Sequence, residues 1–157
     1  MAYTAGTRTA LANTDRLHSN ANGVAEAFGG IDNSSGKLDY SINLQIPINA
    51  SAVAGTYDVY CVTSQDGVEW DANIDPANVG DVAAKVDAAP ELKWVGSYTT
   101  VYNASNRAEV EVNIDSINAV LGCSVAPQFF GFVVDNNSGQ TIPASGADGD
   151  SVSIDIT

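Results

Sequence analysis

The sequence predicts an all-β protein: an antiparallel two-sheet sandwich, jelly-roll-like, with an extended N-terminal arm. Three observations carry this prediction. Leu38, Tyr40, Ile42, Leu44, Ile46 and Ile48 hold the even positions of a stretch in which Asp39, Ser41, Asn43, Gln45 and Pro47 fill the odd ones. That period of two belongs to a strand with one buried face. Between Phe129 and Gln140 a dense aromatic and β-branched run stops at Asp-Asn-Asn-Ser-Gly-Gln, a buried strand followed by a tight turn. Helical periodicity is nearly absent.

Taken in order, residues 1–22 are polar, rich in Thr, Asn and Ala, and without period, which makes them the arm. Residues 23–157 form a single β-sandwich domain. In the strand 38–48, Pro47 belongs at an edge or at the end of pairing, because it has no amide proton for a ladder. Further strands are expected at 56–63, 91–101, 107–114, 128–135 and 151–156. Within 91–101, Trp94 and Tyr98 share a face with Leu92 and are assigned to the core. Within 107–114, Val110, Val112 and Ile114 take the inward face and leave Glu109 and Glu111 outside. Residues 71–90, rich in Ala, Asp and Asn and poor in large apolar groups, read as a long surface loop. One short helical stretch, 115–122, has Asp115 or Ser116 as its cap and Gly122 as its stop. Short strands separated by Gly, Asn and Asp turns exclude a βαβ architecture.

A chain of 157 residues fits one domain, long enough to bury roughly 68–70% of its unfolded surface. Six Lys and Arg against 19 Asp and Glu give a net charge of −13, with the cations scattered along the chain. Nucleic acid is therefore excluded as a partner, since phosphate backbones are bound through clustered cations. Anionic membrane surfaces are disfavoured for the same reason. No signal-like run or membrane-span window occurs, so the chain is expected to be made in the cytoplasm. Cys61 and Cys123 match no metal-ligand spacing, and His18 is the only histidine. Cys61 is expected to be a buried free thiol; whether it pairs with Cys123 stays open. Sequons at Asn33, Asn49, Asn103 and Asn136 read as turns.

No catalytic residue and no cofactor is predicted. His18, between Leu17 and Ser19, reads as a solvated arm residue, and Glu109 and Glu111 as solvent-facing acids. Asp71, Asn73 and Asp75 imitate the start of a calcium loop, but an EF-hand needs Gly at the sixth position and Glu at the twelfth, where this chain has Pro76 and Val82. They remain weak candidates for an irregular cation site. Trp70, beside an Asp-Gly turn, is the best surface ring for stacking a sugar.

Three stretches then look familiar: Leu-His-Ser-Asn-Ala-Asn-Gly and Ile-Asp-Asn within 17–33, Tyr-Asp-Val-Tyr-Cys-Val-Thr-Ser-Gln-Asp-Gly-Val-Glu-Trp over 57–70, and Phe-Phe-Gly-Phe-Val-Val-Asp-Asn-Asn-Ser-Gly-Gln-Thr-Ile-Pro-Ala-Ser-Gly over 129–146. Their order resembles that of small β-sandwich virion proteins of tailed bacteriophages, often capsid decoration or cement proteins. The resemblance implies a non-enzymatic protein of the capsid surface that binds the major capsid protein and assembles as a homotrimer. The arm and Trp70 are the expected contact regions, through Tyr3, Arg8, Leu11, Arg16, Leu17 and Trp70. The alternative is a carbohydrate- or receptor-binding module of a phage tail or fibre.

Overall fold

The computed structural model describes residues 3–51, 54–77, 82, 85–86, 90–102, 108–144 and 146–156. Among these, eight strands carry the fold: β1 (Tyr3–Ala10), β2 (Ala25–Asp32), β3 (Asp39–Pro47), β4 (Thr56–Ser64), β5 (Lys93–Thr99), β6 (Glu109–Ile114), β7 (Phe129–Asn137) and β8 (Asp148–Ile156). They form two four-stranded antiparallel sheets, ordered β1-β8-β3-β6 and β2-β7-β4-β5. Strand β1 pairs with β8, β2 with β7, β3 with β6 and β4 with β5. The chain is thus one long hairpin with its tip at the β4–β5 connection, rolled up so that β8 also meets β3 and β7 also meets β4. This wrap is the eight-stranded jelly roll.

The main core lies between the sheets. Tyr40, Ile42, Leu44 and Ile46 of β3 face Tyr57, Val59 and Cys61 of β4 and Phe130, Phe132 and Val134 of β7, and every second residue of β3 is buried as its period demands. Tyr40 meets Phe130 edge-on at 5.1 Å between ring centroids, and Phe130 meets Phe132 at 6.2 Å. A short α-helix, α1 (Ile117–Leu121), closes one end. The Ser116 hydroxyl accepts from Ala119 N, and Gly122 stops the helix in the left-handed conformation.

Two expectations need correction. The first is the arm. Residues 3–10 are extended, but as edge strand β1, in register with β8 from Tyr3↔Ile156 to Ala10↔Asp150. Leu11 and Leu17 both belong to the main core. The Leu11 side chain fills the space left by Gly149, where a Cβ would lie 2.8 Å from its Cδ1. The segment beyond is fastened by Ser19 N donating to Ile142 O and Gly23 N donating to Asn136 O. A boundary at residue 22 therefore cuts through one packed unit. Nothing apolar alternates in Tyr-Thr-Ala-Gly-Thr-Arg-Thr-Ala because its partner β8 turns only Gly149, Ser151 and Ser153 to the inside, opposite Leu44, Ile42 and Tyr40.

The second is the surface loop 71–90. Its described residues, with Leu92, form a third layer over the outer face of β2-β7-β4-β5. Ile74, Val82, Val86 and Leu92 pack on Ala25, Ala27, Val62 and Val133 as a separate apolar cluster. Pro76 sits against Gly131, where any Cβ would overlap its ring. Val82 N donates to Ala25 O at 3.0 Å. This cover explains why Phe130 to Val134 of β7 are buried on both faces, and hence why the sequence there runs apolar without alternation.

Candidate functional site

The residues expected to touch a partner divide sharply. Leu17 is 0% exposed and Leu11 is buried with it, so, contrary to expectation, neither offers a side chain to a partner. Arg16 is turned inward: Nη1 donates to Pro76 O at 2.6 Å and Ala27 O at 3.3 Å, and Nη2 to Ala77 O at 2.8 Å. It pins the third layer to β2. Arg8 is exposed, at 72%, and pairs with Asp150 at 3.3 Å on the outer face of the first sheet. Tyr3 contributes its backbone to the β1–β8 ladder; its side chain lies outside the described residues.

Trp70 is half-buried against the outer cluster. Its backbone bridges to Ser64 and its Nε1 donates to Gly67 O at 3.2 Å. The turn between is rigidly bonded. Ser64 Oγ accepts from Gly67 N, and Asp66 Oδ1 accepts from Val68 N and Glu69 N, both at 2.8 Å. Those donors hold the Asp66 carboxyl below its ordinary range. Trp94 is the ring placed wrongly by period. A bulge in β5, between Val59↔Gly96 and Tyr60↔Trp94, reverses the faces. Val95 then packs on the core while Trp94 stands 61% exposed.

The weak cation candidates go to separate tasks. Asp71 Oδ2 accepts from Thr63 N at 2.8 Å and Thr63 Oγ1 at 2.7 Å, holding the end of β4. Asn73 offers its backbone oxygen to Lys85 Nζ at 2.6 Å. Asp75 Oδ1 accepts from Ala77 N at 2.7 Å. Among the described residues no group of three or more His, Cys, Asp or Glu is placed to hold a metal.

His18 is not a solvated residue. It is half-buried, and its Nε2 is enclosed without a hydrogen-bond partner. Glu109 and Glu111 are exposed on the outer face of β6. Cys61 and Cys123 are both free; Cys61 is in the core, where burial pushes its thiol far above the ordinary range, and Cys123 is exposed after α1.

The sequence gives no warning that two asparagines in turn motifs are buried ties. Asn136 Nδ2 donates to Asn20 O at 2.9 Å and Gln140 O at 2.8 Å, while its Oδ1 accepts from Ser138 Oγ at 2.6 Å. Asn33 Nδ2 donates to Lys37 O at 3.0 Å and to Ala126 O and Pro127 O, both at 3.3 Å, and its Oδ1 accepts from Tyr40 OH. Through Asn136 the stretches 17–33 and 129–146 are bound to each other, alongside the β2–β7 ladder. Compared with family models, with curated proteins and with solved structures, the chain has no match.

Proposed function

We propose that the chain is a non-enzymatic structural protein of a virion, a capsid decoration protein that binds the assembled major capsid protein, as a homotrimer, on the outside of the head. The observation that supports this reading best is the rolled eight-stranded hairpin, an architecture shared by viral coat and lectin domains. It is sealed by the Asn136 turn, the centre of the phage-like motifs. The surface offered to the capsid is the uncovered face of β1-β8-β3-β6. There Asn43 and Asn113 share a hydrogen bond at 2.6 Å, with the acids Glu109, Glu111, Asp148 and Asp150 around them. Such a face docks through directed polar contacts onto a partner that supplies cations, so its affinity falls with salt.

The test is co-sedimentation of the purified full chain with assembled, undecorated phage heads, at low and high salt. Saturable, salt-sensitive binding at a fixed ratio to the capsid protein, lost on Glu111→Lys and Asp148→Lys together, is the expected result. A chain that stays in the supernatant at every salt concentration refutes the proposal.

A further inference from the structure

On the outer side of the sheet β2-β7-β4-β5 lies an open groove of about 220 Å³, lined by Trp70, Phe129, Gly30, Gly67, Asp32 and Asp75 among others. We propose that this groove binds a neutral polyhydroxylated ring, a single hexose-type sugar. This does not depend on the capsid reading and would hold for a head or a tail protein alike.

Two rings and the Asp32 carboxylate carry the argument. Trp70 and Phe129 are both half-buried, and each is fixed by the same glycine. Gly67 O accepts the Trp70 indole proton at 3.2 Å. The Cα of Gly67, at φ +75°, lies so close to the Phe129 ring that a Cβ there would be 3.1 Å from Cε1. Neither ring therefore has to be ordered on binding, which removes a main cost of association. The C–H face of a pyranose packs on such rings, and its hydroxyls need acceptors. Asp32 Oδ1 accepts from Ser34 N at 2.7 Å, leaving Oδ2 without a protein donor among the described residues. Asp75 adds a second negative charge at the groove, its Oδ1 held by Ala77 N. Ionised carboxylates accept only, matching hydroxyl donors. They also repel uronic and sialic acids, as does a chain of net charge −13. Drug-sized sites start near ~300 Å³, so the groove suits one ring, not an extended chain.

The full-length chain labelled with nitrogen-15 has two indole N–H signals, from Trp70 and Trp94, which Trp94→Phe assigns. Glucose, galactose, mannose and N-acetylglucosamine are titrated, with glucuronate and glucosamine as charged controls. The expected result is a saturable shift of the Trp70 signal with at least one neutral sugar, with a Kd on the order of 1–10 mM, while the Trp94 signal stays still. Asp32→Ala, at an exposed position and with a melting curve to check that it folds, should weaken binding roughly tenfold or more. Four outcomes overturn the proposal: no saturable shift at Trp70 with any neutral sugar, equal shifts of both indoles, a response to glucosamine alone, or unchanged binding by Asp32→Ala.

Discussion

Leu17→Ala separates a detachable arm from an integral strand. Leu17 ends the 3₁₀ turn Thr14–Leu17 with no exposed surface, inside the cluster that fills the sandwich. Truncating a fully buried leucine removes its transfer energy and leaves a cavity, about 2–5 kcal/mol together. In a domain of this length each kcal/mol lowers the Tm by about 2–4 °C, so a fall of roughly 5–20 °C is expected. Against a usual total of about 5–15 kcal/mol, the variant should still fold at room temperature but lose a large share of its stability. Thermal melting by circular dichroism, with urea denaturation in parallel, reads this directly. Thr9→Ala, exposed on β1, is the control and should stay within about 0.5 kcal/mol of the parent. A Tm shift for Leu17→Ala no larger than that of Thr9→Ala would refute the assignment of residues 3–22 to the sandwich. Deleting residues 2–22 removes β1, Leu11 and Leu17 at once, and should leave a chain without a cooperative melt.

Gly131→Ala places a methyl against the Pro76 ring; overpacking of this kind costs about 1–3 kcal/mol, read as a lowered urea midpoint, and an unchanged midpoint would mean that the third layer is not seated on β7. Arg16→Met removes three hydrogen bonds to the carbonyls of Ala27, Pro76 and Ala77 and should cost about 1–3 kcal/mol. It should accelerate amide exchange in residues 70–77 while β3 and β6 stay protected; exchange equal to the parent's would show that Arg16 is not the clamp. Burial pushes the Tyr57 hydroxyl from its ordinary 10.0 up to about 12, against a smaller opposing effect of Ser138. A folded pKa above the unfolded one means that the folded chain keeps the proton longer, so this stability is complete below pH 10 and is lost as pH rises towards 12. Urea midpoints measured across that window should decline, and Tyr57→Phe should flatten the decline; an equal slope in the variant assigns it elsewhere.

What the sequence makes legible follows from how each element is buried. Strands β3 and β6 are covered on one side, so their apolar residues alternate and their faces are read correctly, Glu109 and Glu111 included. The helix stop at Gly122 is equally plain, because only a residue at ease with φ 68° continues there. Strands β1 and β2 escape the same reading. The first turns small side chains inward, and the second, Ala-Glu-Ala-Phe-Gly-Gly-Ile-Asp, is broken by a bulge at Gly29, φ +70°. Trp94 is misplaced for a related reason, since one extra residue in β5 inverts a period-two pattern. The groove beside Trp70 is visible only in part. The ring is marked by its Asp-Gly turn, but Phe129 and Asp32 reach it from β7 and β2 through pairing that no local pattern records.

Edge strands decide how this chain can meet a partner. Its four edges are β1, β6, β2 and β5, and each is blunted. Bulges interrupt β1 between Ala5 and Arg8, β2 between Phe28 and Ile31, and β5 beside Val95. Val82 covers part of β2 by bonding to Ala25 O, and β6 carries exposed Glu109 and Glu111. Bulges, covers and charges are the means by which sheets avoid adding strands from other chains. Any association with another chain is thereby directed away from strand addition and onto faces and loops. The outer face of β2-β7-β4-β5 is taken by the third layer, so a capsid docked as proposed would meet the polar face of β1-β8-β3-β6, and a sugar the Trp70 groove. The two proposed sites lie on opposite sides of the sandwich, so a chain docked through the first would still present the second to solvent.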